Sequence, residues 1–277
     1  MSRAPSLLLC TDLDRTLIPN GTQSESPGAR TRFRTLAEHP EVTLVYVSGR
    51  HRGLIEQAIS NFRLPQPGIV VADVGTNIYK IDGNNWDVHQ GWQAEIAPDW
   101  NGYDRTQLRT LLVGFGALRI QAFNKQNTYK LSYYVPLHAD HRRLDADIGE
   151  RLGEHGIEAS LVWSIDEPAG VGLLDILPLR ATKLHAVEFL CASLKVAVRD
   201  TLFAGDSGND LPVLASNVPA VLVANALPAV AKAALQDAER LGNLEWLYLA
   251  RGDFLGMNGN YAAGILEGVA HFHPGMI

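Results

Sequence analysis

Leu7-Leu8-Leu9-Cys10-Thr11-Asp12-Leu13-Asp14-Arg15-Thr16-Leu17 is the stretch that decides the fold. A short, continuous apolar run near the N-terminus is the pattern of a strand buried on both faces of a parallel sheet. It delivers Asp12 and Asp14, one residue apart, at its C-terminal end, where open α/β sheets place their ligands. The period of two along a strand sends Asp12 and Asp14 to one side and Leu13 to the other. Two carboxylates so placed repel unless a cation sits between them. Alone, the pair suits the capping of a following helix equally well, so the segments that come later decide between the two.

Length and composition narrow the classes. The chain has 277 residues, 46% hydrophobic and 19% charged, enough for a core and for more than one domain. Lys and Arg total 24 against 30 acidic residues, a formal charge of −6, and no basic run is present that would neutralise a phosphate backbone. Nucleic acid is thereby excluded as an expected partner. Only Cys10 and Cys191 occur, and Cys10 lies in the expected buried strand, so two free thiols and a reducing compartment are expected. The apolar run before Asp12 is too short for a signal-peptide core, and no segment offers 18 apolar residues in a row. A cytoplasmic protein with no membrane attachment is the expectation.

Along the chain, Pro19 to Gly28 reads as a loop and Ala29 to His39 as a helix. Val42–Val47 is a second buried strand, and it ends in Ser48-Gly49-Arg50. A hydroxyl followed by Gly at a strand end can bond a phosphate oxygen together with backbone N–H groups, although Ser is also a common helix cap. A helix over Leu54 to Phe62 leads to a third strand, Ile69–Ala72, which makes a β-α-β-α-β series with parallel order and right-handed crossovers. The turn Asp73-Val74-Gly75-Thr76-Asn77-Ile78-Tyr79 follows.

From about Asn84 the texture changes, with Trp86, Trp92 and Trp100 close together and alternating helical and strand-like stretches up to Ser164. This is read as an inserted α+β unit, whose tryptophans either anchor its core or stack on a sugar ring. Lys130-Leu131-Ser132-Tyr133-Tyr134-Val135 alternates as a half-exposed strand with Lys130, Ser132 and Tyr134 on the polar face. The chain returns through Leu173–Pro178, and Lys183 opens a helix that runs to Leu194. A lysine there opposes the helix dipole, which points to a functional reason for it. Finally Thr201-Leu202-Phe203-Ala204-Gly205-Asp206-Ser207-Gly208-Asn209-Asp210 runs a strand into a glycine-bracketed turn that carries two carboxylates. His51 and His185 are read as surface or packing residues.

Taken together these segments resemble the haloacid dehalogenase (HAD) superfamily. Asp12, Asp14 and Thr16 match its D-x-D-x-T motif, Ser48-Gly49 its second motif, Lys183 its third, and Gly205–Asp210 its fourth. Within that superfamily three stretches are similar to sucrose-phosphate phosphatases: the Val74-Gly75-Thr76 turn, the Lys130–Val135 run, and the ending Ala262-Ala263-Gly264-Ile265 with Gly268, His271 and Phe272. The resemblance covers nearly the whole chain. It implies a doubly wound parallel-sheet core, residues 1–83 and 181–277, with a C2-type α+β cap at 84–180.

For activity, the resemblance implies a Mg²⁺-dependent phosphatase in which Asp12 is the nucleophile and Asp14 the general acid, then base. Phosphate would be held by Ser48, Gly49 and Lys183, and the metal by Asp12, the Asp14 backbone carbonyl, Asp206, Asn209 and Asp210. Thr16 would support the loop. Hard oxygen donors suit Mg²⁺ rather than Zn²⁺, and there is no Cys/His cluster. Substrate contacts would come from Gly75, Thr76 and Asn77 in the turn and from Lys130, Ser132 and Tyr134 in the cap. The implied substrate is sucrose 6-phosphate, although Asp166-Glu167-Pro168-Ala169-Gly170-Val171-Gly172 departs from the shorter approach expected before the last cap strand. Mannosylfructose phosphate, glucosylglycerol-type phosphates, a phosphomutase activity, and a non-catalytic domain partnering a sucrose-phosphate synthase are the alternatives.

Overall fold

The structure, a computed structural model, describes residues 7–166 and 169–277; Glu167 and Pro168 of the altered approach lie outside it. The chain forms two compact units, one of residues 7–88 and 183–277 and the other of residues 89–182.

The first unit begins with β1 (Leu7–Thr11), buried at all five positions. Helix α1 (Ala29–Ala37) turns Ala29, Phe33 and Leu36 inward, the spacing of one helical face. Strand β2 (Val42–Val47) pairs parallel to β1, helix α2 (Arg52–Phe62) follows, and β3 (Ile69–Ala72) pairs parallel to β2. Strands β4 (Asn77–Asp82) and β5 (Asn85–Val88) then add an antiparallel hairpin at the sheet edge.

That hairpin corrects the domain boundary expected after residue 83. Gly83 takes a φ of 56° in the tight turn, so the change of texture at Asn84 marks a hairpin turn and the chain stays in the main sheet as far as Val88. Trp86 belongs to this edge as well. Its ring meets Tyr79 edge-on at 5.6 Å and lies 5.2 Å from the Arg52 guanidinium.

The inserted unit contains α3 (Gln90–Ile96), α4 (Arg105–Leu111), β6 (Arg119–Ile120), β7 (Leu131–Val135), α5 (His141–Gly153), β8 (Ala159–Asp166) and β9 (Val171–Pro178). Its four strands form an antiparallel sheet in the order β6-β7-β9-β8. Asp104 and Gln107 close a capping box at the start of α4. Leu131, Tyr133 and Val135 of β7 pack with Leu174 and Ile176 of β9 against Leu108, Ile148 and Leu152. Trp92 and Trp100 are fully buried, so neither can stack on a sugar.

The polar side of β7 also differs from expectation, because Lys130 and Ser132 are buried rather than half-exposed. The reason is Asp175 on the paired strand β9, which faces Ser132 across the ladder. Its carboxylate accepts a hydrogen bond from the Ser132 hydroxyl and lies 3.6 Å from the Lys130 ammonium.

The chain re-enters the first unit at α6 (Lys183–Leu194) and continues through β10 (Thr201–Gly205), α7 (Leu211–Leu214), β11 (Ala220–Leu222), α8 (Pro228–Leu241), β12 (Leu247–Leu249) and α9 (Ala262–Phe272). The eight-stranded sheet has the order β12-β11-β10-β1-β2-β3-β4-β5, with its first six strands parallel. From β1 the chain winds to one edge, and from β10 it winds to the other. The carboxyl ends of β1 and β10 therefore flank the switch point of a doubly wound α/β fold, the place where such sheets carry their chemistry. Cys10 and Cys191 are buried free thiols. Among the described residues, no helix is long and apolar enough to cross a membrane.

Helix α9 lies so close to the sheet that a Cβ on Gly268 would fall 2.6 Å from the Val221 Cβ. Gly268→Ala should therefore cost about 1–3 kcal/mol of stability, the usual scale of overpacking. It should be read as a lower urea midpoint with an unchanged slope. An unchanged midpoint would mean that α9 lifts from β11 freely.

Candidate active site

The strand β1 ends at Thr11, and Asp12 is the first residue beyond it, its N–H bonded to the Ala204 carbonyl of β10 at 2.9 Å. This bond ties the ends of the two central strands together. Asp206 follows β10 directly, and Asp12, Asp206 and Asp210 can each place a carboxylate oxygen within 4.8 Å of the other two. All three side chains are buried. Lys183, the first residue of α6, reaches into the group, its ammonium 2.9 Å from Asp12 Oδ1, 2.6 Å from Asp210 Oδ1 and 3.1 Å from Asn209 Oδ1.

The loop after β10 is built around Asp210. Its Oδ2 accepts the backbone N–H groups of Asp206 and Ser207 at 3.0 and 3.1 Å and the Ser207 hydroxyl at 3.2 Å. Gly205 is required for this wrap, since a Cβ there would fall 2.6 Å from the Asp210 carboxyl carbon. Asp210 is thus engaged at both oxygens. The Asn209 amide oxygen accepts from Lys183 and from the Ser207 hydroxyl, 3.0 Å away. Thr16 donates to Asp206 Oδ1 at 3.2 Å, which ties the first loop to the fourth motif.

Asp14 is placed differently from the expectation. It lies beyond the end of β1 at Thr11, and among the described residues its side chain is not one of the carboxylates that converge with Asp12. Its carboxylate is gripped by Arg50, with Nε at 2.7 Å from Oδ2 and Nη2 at 2.6 Å from Oδ1, and by the Asn20 amide at 2.7 Å. The partner of Asp12 across the cluster is therefore Asp206. Arg50 was quoted in the Ser48-Gly49-Arg50 strand end without a role, and only its long-range pairing reveals one.

Ser48 is buried, its hydroxyl accepting the Arg50 N–H at 3.2 Å, and Gly49 leaves room beside Val74. The Asp73-Val74-Gly75 turn has positive φ at all three residues, and Val74, at 60°, is β-branched, so this turn is strained. The Asp73 N–H bonds the Arg50 carbonyl, the Thr76 hydroxyl donates to the Asp73 carbonyl, and the Asn77 amide to the Asp73 carboxylate at 3.1 Å. Gly75, Thr76 and Asn77 thus make up a turn pinned to the backbone of the second motif.

Electrostatics separate the two aspartates of the first motif. Burial drives the Asp12 carboxyl up to about 7 against the pull of Lys183, with Asp210 adding to the rise. Burial and the neighbouring Asp210 push Asp206 up to about 6. Burial also works against the Asp14 carboxylate, but the Arg50 bonds outweigh it and hold this group below its ordinary range. Burial lowers the Lys183 ammonium, and Asp12 and Asp210 more than reverse this, so it stays charged.

Three buried carboxylates, two facing Lys183 and one Arg15, have a deficit of positive charge. The donors are hard oxygens in a group small enough to converge on one ion, which fits a divalent cation of the Mg²⁺ type. The doubly wound core, the strand-end Asp12 pinned by Lys183 and the cluster of acids behind it are those of a hydrolase of the HAD superfamily.

The comparisons agree. Residues 5–273 match the model of the family described as sucrose-6F-phosphate phosphohydrolase, and the chain belongs to that family of phosphatases. It is 51% identical over 268 residues to a HAD-like hydrolase of Nitrosococcus oceani, covering 97% of this chain and 72% of the relative. It is 26% identical over 272 residues to the mannosylfructose-phosphate phosphatase of Agrobacterium fabrum, covering 97% of each. The crystal structure of the sucrose-phosphatase of Synechocystis, in complex with sucrose and phosphate, superposes with a TM-score of 0.73 at 27% identity, over 97% of this chain and 98% of that one.

The raised carboxyls carry a consequence for metal-stripped protein. Asp12 has a folded value of about 7 against 3.8 for the free side chain, so the folded state holds its proton longer than the unfolded state does. The resulting penalty is absent below about pH 4, grows as the pH rises and is complete above about 7. In EDTA at pH 8, Asp12→Asn should therefore be more stable than wild type by on the order of 2 kcal/mol. The gain should shrink towards pH 5 in thermal melts. A variant less stable than wild type at pH 8 would contradict this assignment.

Proposed function

We propose that this phosphatase is a Mg²⁺-dependent sugar-phosphate phosphatase that converts sucrose 6-phosphate to sucrose and inorganic phosphate through an aspartyl-phosphate on Asp12. The observation that carries the reading is the Asp12 carboxylate, held through Oδ1 by Lys183 at the end of β1 and beside Asp206. The likeness to a sucrose-phosphatase over nearly the full chain supports the choice of sugar.

With Lys183 on Oδ1, the other Asp12 oxygen is free to attack phosphorus in line, since phosphoryl transfer needs mostly positioning and charge neutralisation. Asp12, Asp206 and the Asp14 backbone carbonyl, with Asp210 and Asn209 in support, would hold Mg²⁺, which would supply neutralising charge to the phosphate oxygens. Lys183, the Ser48 hydroxyl and the backbone at Gly49 bind the same group. Asp14 gives a proton to the departing sugar oxygen and later takes one from the attacking water. In the geometry described, Asp14 is ionised on Arg50 and Asn20, the state that accepts a proton. Service as an acid requires its carboxylate to come off Arg50 and take up a proton from solvent before the sugar departs, and an arriving phosphate is an anion able to draw that arginine away.

The core motifs meet only groups that all phosphate esters share, so discrimination falls to residues that read the sugar. We assign this to the Gly75-Thr76-Asn77 turn and, in the inserted unit, to the Lys130, Ser132 and Tyr134 side of β7. Asp175 holds the Lys130 ammonium and accepts the hydroxyl proton of the buried Ser132, whose N–H goes to Gln126, so Ser132 acts by fixing Asp175 and through it the direction of Lys130. The mannosylfructose-phosphate phosphatase relative, matched over the full length of both chains, makes that disaccharide phosphate the second reading. We read this chain as a cytoplasmic enzyme, in keeping with its two buried free thiols, with a sucrose-phosphate synthase as the partner its substrate would pair it with.

Phosphate release across a panel of sugar phosphates tests the function. Sucrose 6-phosphate should be hydrolysed far faster than glucose 6-phosphate or fructose 6-phosphate, and EDTA should abolish turnover. Asp12→Asn should lower kcat by about 10³-fold or more. Equal rates on all esters, activity in EDTA, or an Asp12→Asn variant within tenfold of wild type would each reject the corresponding part. Lys130→Ala should raise KM for sucrose 6-phosphate by roughly tenfold, the scale of one unpaired polar group. Hydrolysis of p-nitrophenyl phosphate should be unchanged, and equal losses on both substrates would remove Lys130 from sugar recognition.

A further inference from the structure

We propose that Arg15 is a built-in counter-ion of the metal cluster, its guanidinium competing with a divalent cation for Asp206 and thereby setting how much cation the site requires. The inference rests on the metal-dependent reading above. It begins with the backbone of Arg15, which takes a φ of 59°, a conformation unfavourable for a long side chain. Three bonds hold it there. Its N–H donates to Asn20 Oδ1 at 2.8 Å and to the Ile18 carbonyl at 3.1 Å, and its carbonyl accepts the Asn225 amide at 2.6 Å. Asn225 is itself buried and accepts the Tyr261 N–H at 2.8 Å. Strain that the surroundings over-determine in this way marks a residue placed for a purpose.

The side chain so placed brings Nε to 3.4 Å from Asp206 Oδ2. That Nε is buried and makes no hydrogen bond, so the contact is between charges at ion-pair range without a directed bond. Leaving such a donor unbonded is costly, and what offsets the cost is the charge on Asp206. Thr16 takes Asp206 Oδ1, leaving Oδ2 towards the guanidinium. The neighbouring cations are engaged elsewhere, Lys183 by Asp12 and Asp210, and Arg50 by Asp14. Arg15 is therefore the cation that faces Asp206. The rest of its side chain is 38% exposed, so it can turn to solvent with little lost contact when a cation arrives. Two positive charges at one carboxylate oppose each other, and Arg15 makes cation binding weaker than the acids alone would give.

Titration of the purified full chain with Mg²⁺ alone, by calorimetry and by thermal shift, tests this without reference to turnover. Arg15→Gln keeps an unbranched polar side chain and the backbone strain and removes the charge. Arg15→Asn also removes the charge and suits the positive φ, which separates charge from strain. Both should lower the half-saturating Mg²⁺ concentration by roughly three- to tenfold, the scale of a partly exposed ion pair acting on a buried group. Both should melt lower than wild type in EDTA, while Arg15→Lys should stay near wild type in both measurements. Mg²⁺ affinity equal to or weaker than wild type in the Gln and Asn variants would overturn the role of Arg15. Unaltered Mg²⁺ affinity in Asp206→Ala would overturn the metal site itself, and with it this inference.

Discussion

The contact of the Lys183 ammonium with Asp12 and Asp210 is the interaction on which the rest depends. Burying carboxylates without enough positive charge is unfavourable, and the fold accepts this cost where β1 and β10 end side by side. Lys183 is fixed there by the first turn of α6, a position that opposes the helix dipole and is tolerable because two anions face it. Lys183 and Arg15 do not balance Asp12, Asp206 and Asp210, and burial, with the mutual repulsion of the acids added to it, raises the Asp12 and Asp206 carboxyls. A site that waits for a cation and a phosphate has this character, because their opposite charges complete it in turn.

Fixed positions follow from that deficit. Gly205 lets Asp210 fold back on the loop, Asn225 and Asn20 hold the turn after Asp12, and the strained Asp73-Val74-Gly75 segment is bonded to the Arg50 backbone. The side chains that must not move sit on strand ends and helix starts, and the strained residues lie beside them. The inserted unit follows similar rules with a different purpose. Its Lys130, Ser132 and Asp175 form a buried polar group set on a sheet, which favours fixed direction over stability.

Much of this was legible in the sequence because it is local. The apolar run of β1, the strand and glycine turn around Asp206, and the lysine at the start of α6 each declare themselves within a dozen residues. What escaped was set by partners distant along the chain. Nothing near Asp14 announces that Arg50 will grip it, and Asp175 is 43 positions from the Ser132 it fixes. The alternation of Lys130–Val135 therefore suggested a half-exposed polar face, whereas Lys130 and Ser132 are buried. The hairpin at Gly83 was misread as a domain edge for a related reason, since a tight turn and a linker share the same composition. Trp92 and Trp100 look alike as core or ligand residues until their complete burial removes the second role.

The central claim is that a carboxylate oxygen of Asp12 becomes bonded to phosphorus during turnover. Rapid quenching of enzyme with sucrose 6-phosphate and Mg²⁺ into borohydride, followed by peptide mass spectrometry, reads this directly, because an acyl phosphate is reduced where a free carboxylate is not. Conversion of Asp12 to homoserine in the tryptic peptide Ala4–Arg15 is expected, dependent on substrate, with Asp14 in the same peptide unmodified. Reduction at Asp14, or an unmodified Asp12 under conditions of rapid phosphate release, would contradict it.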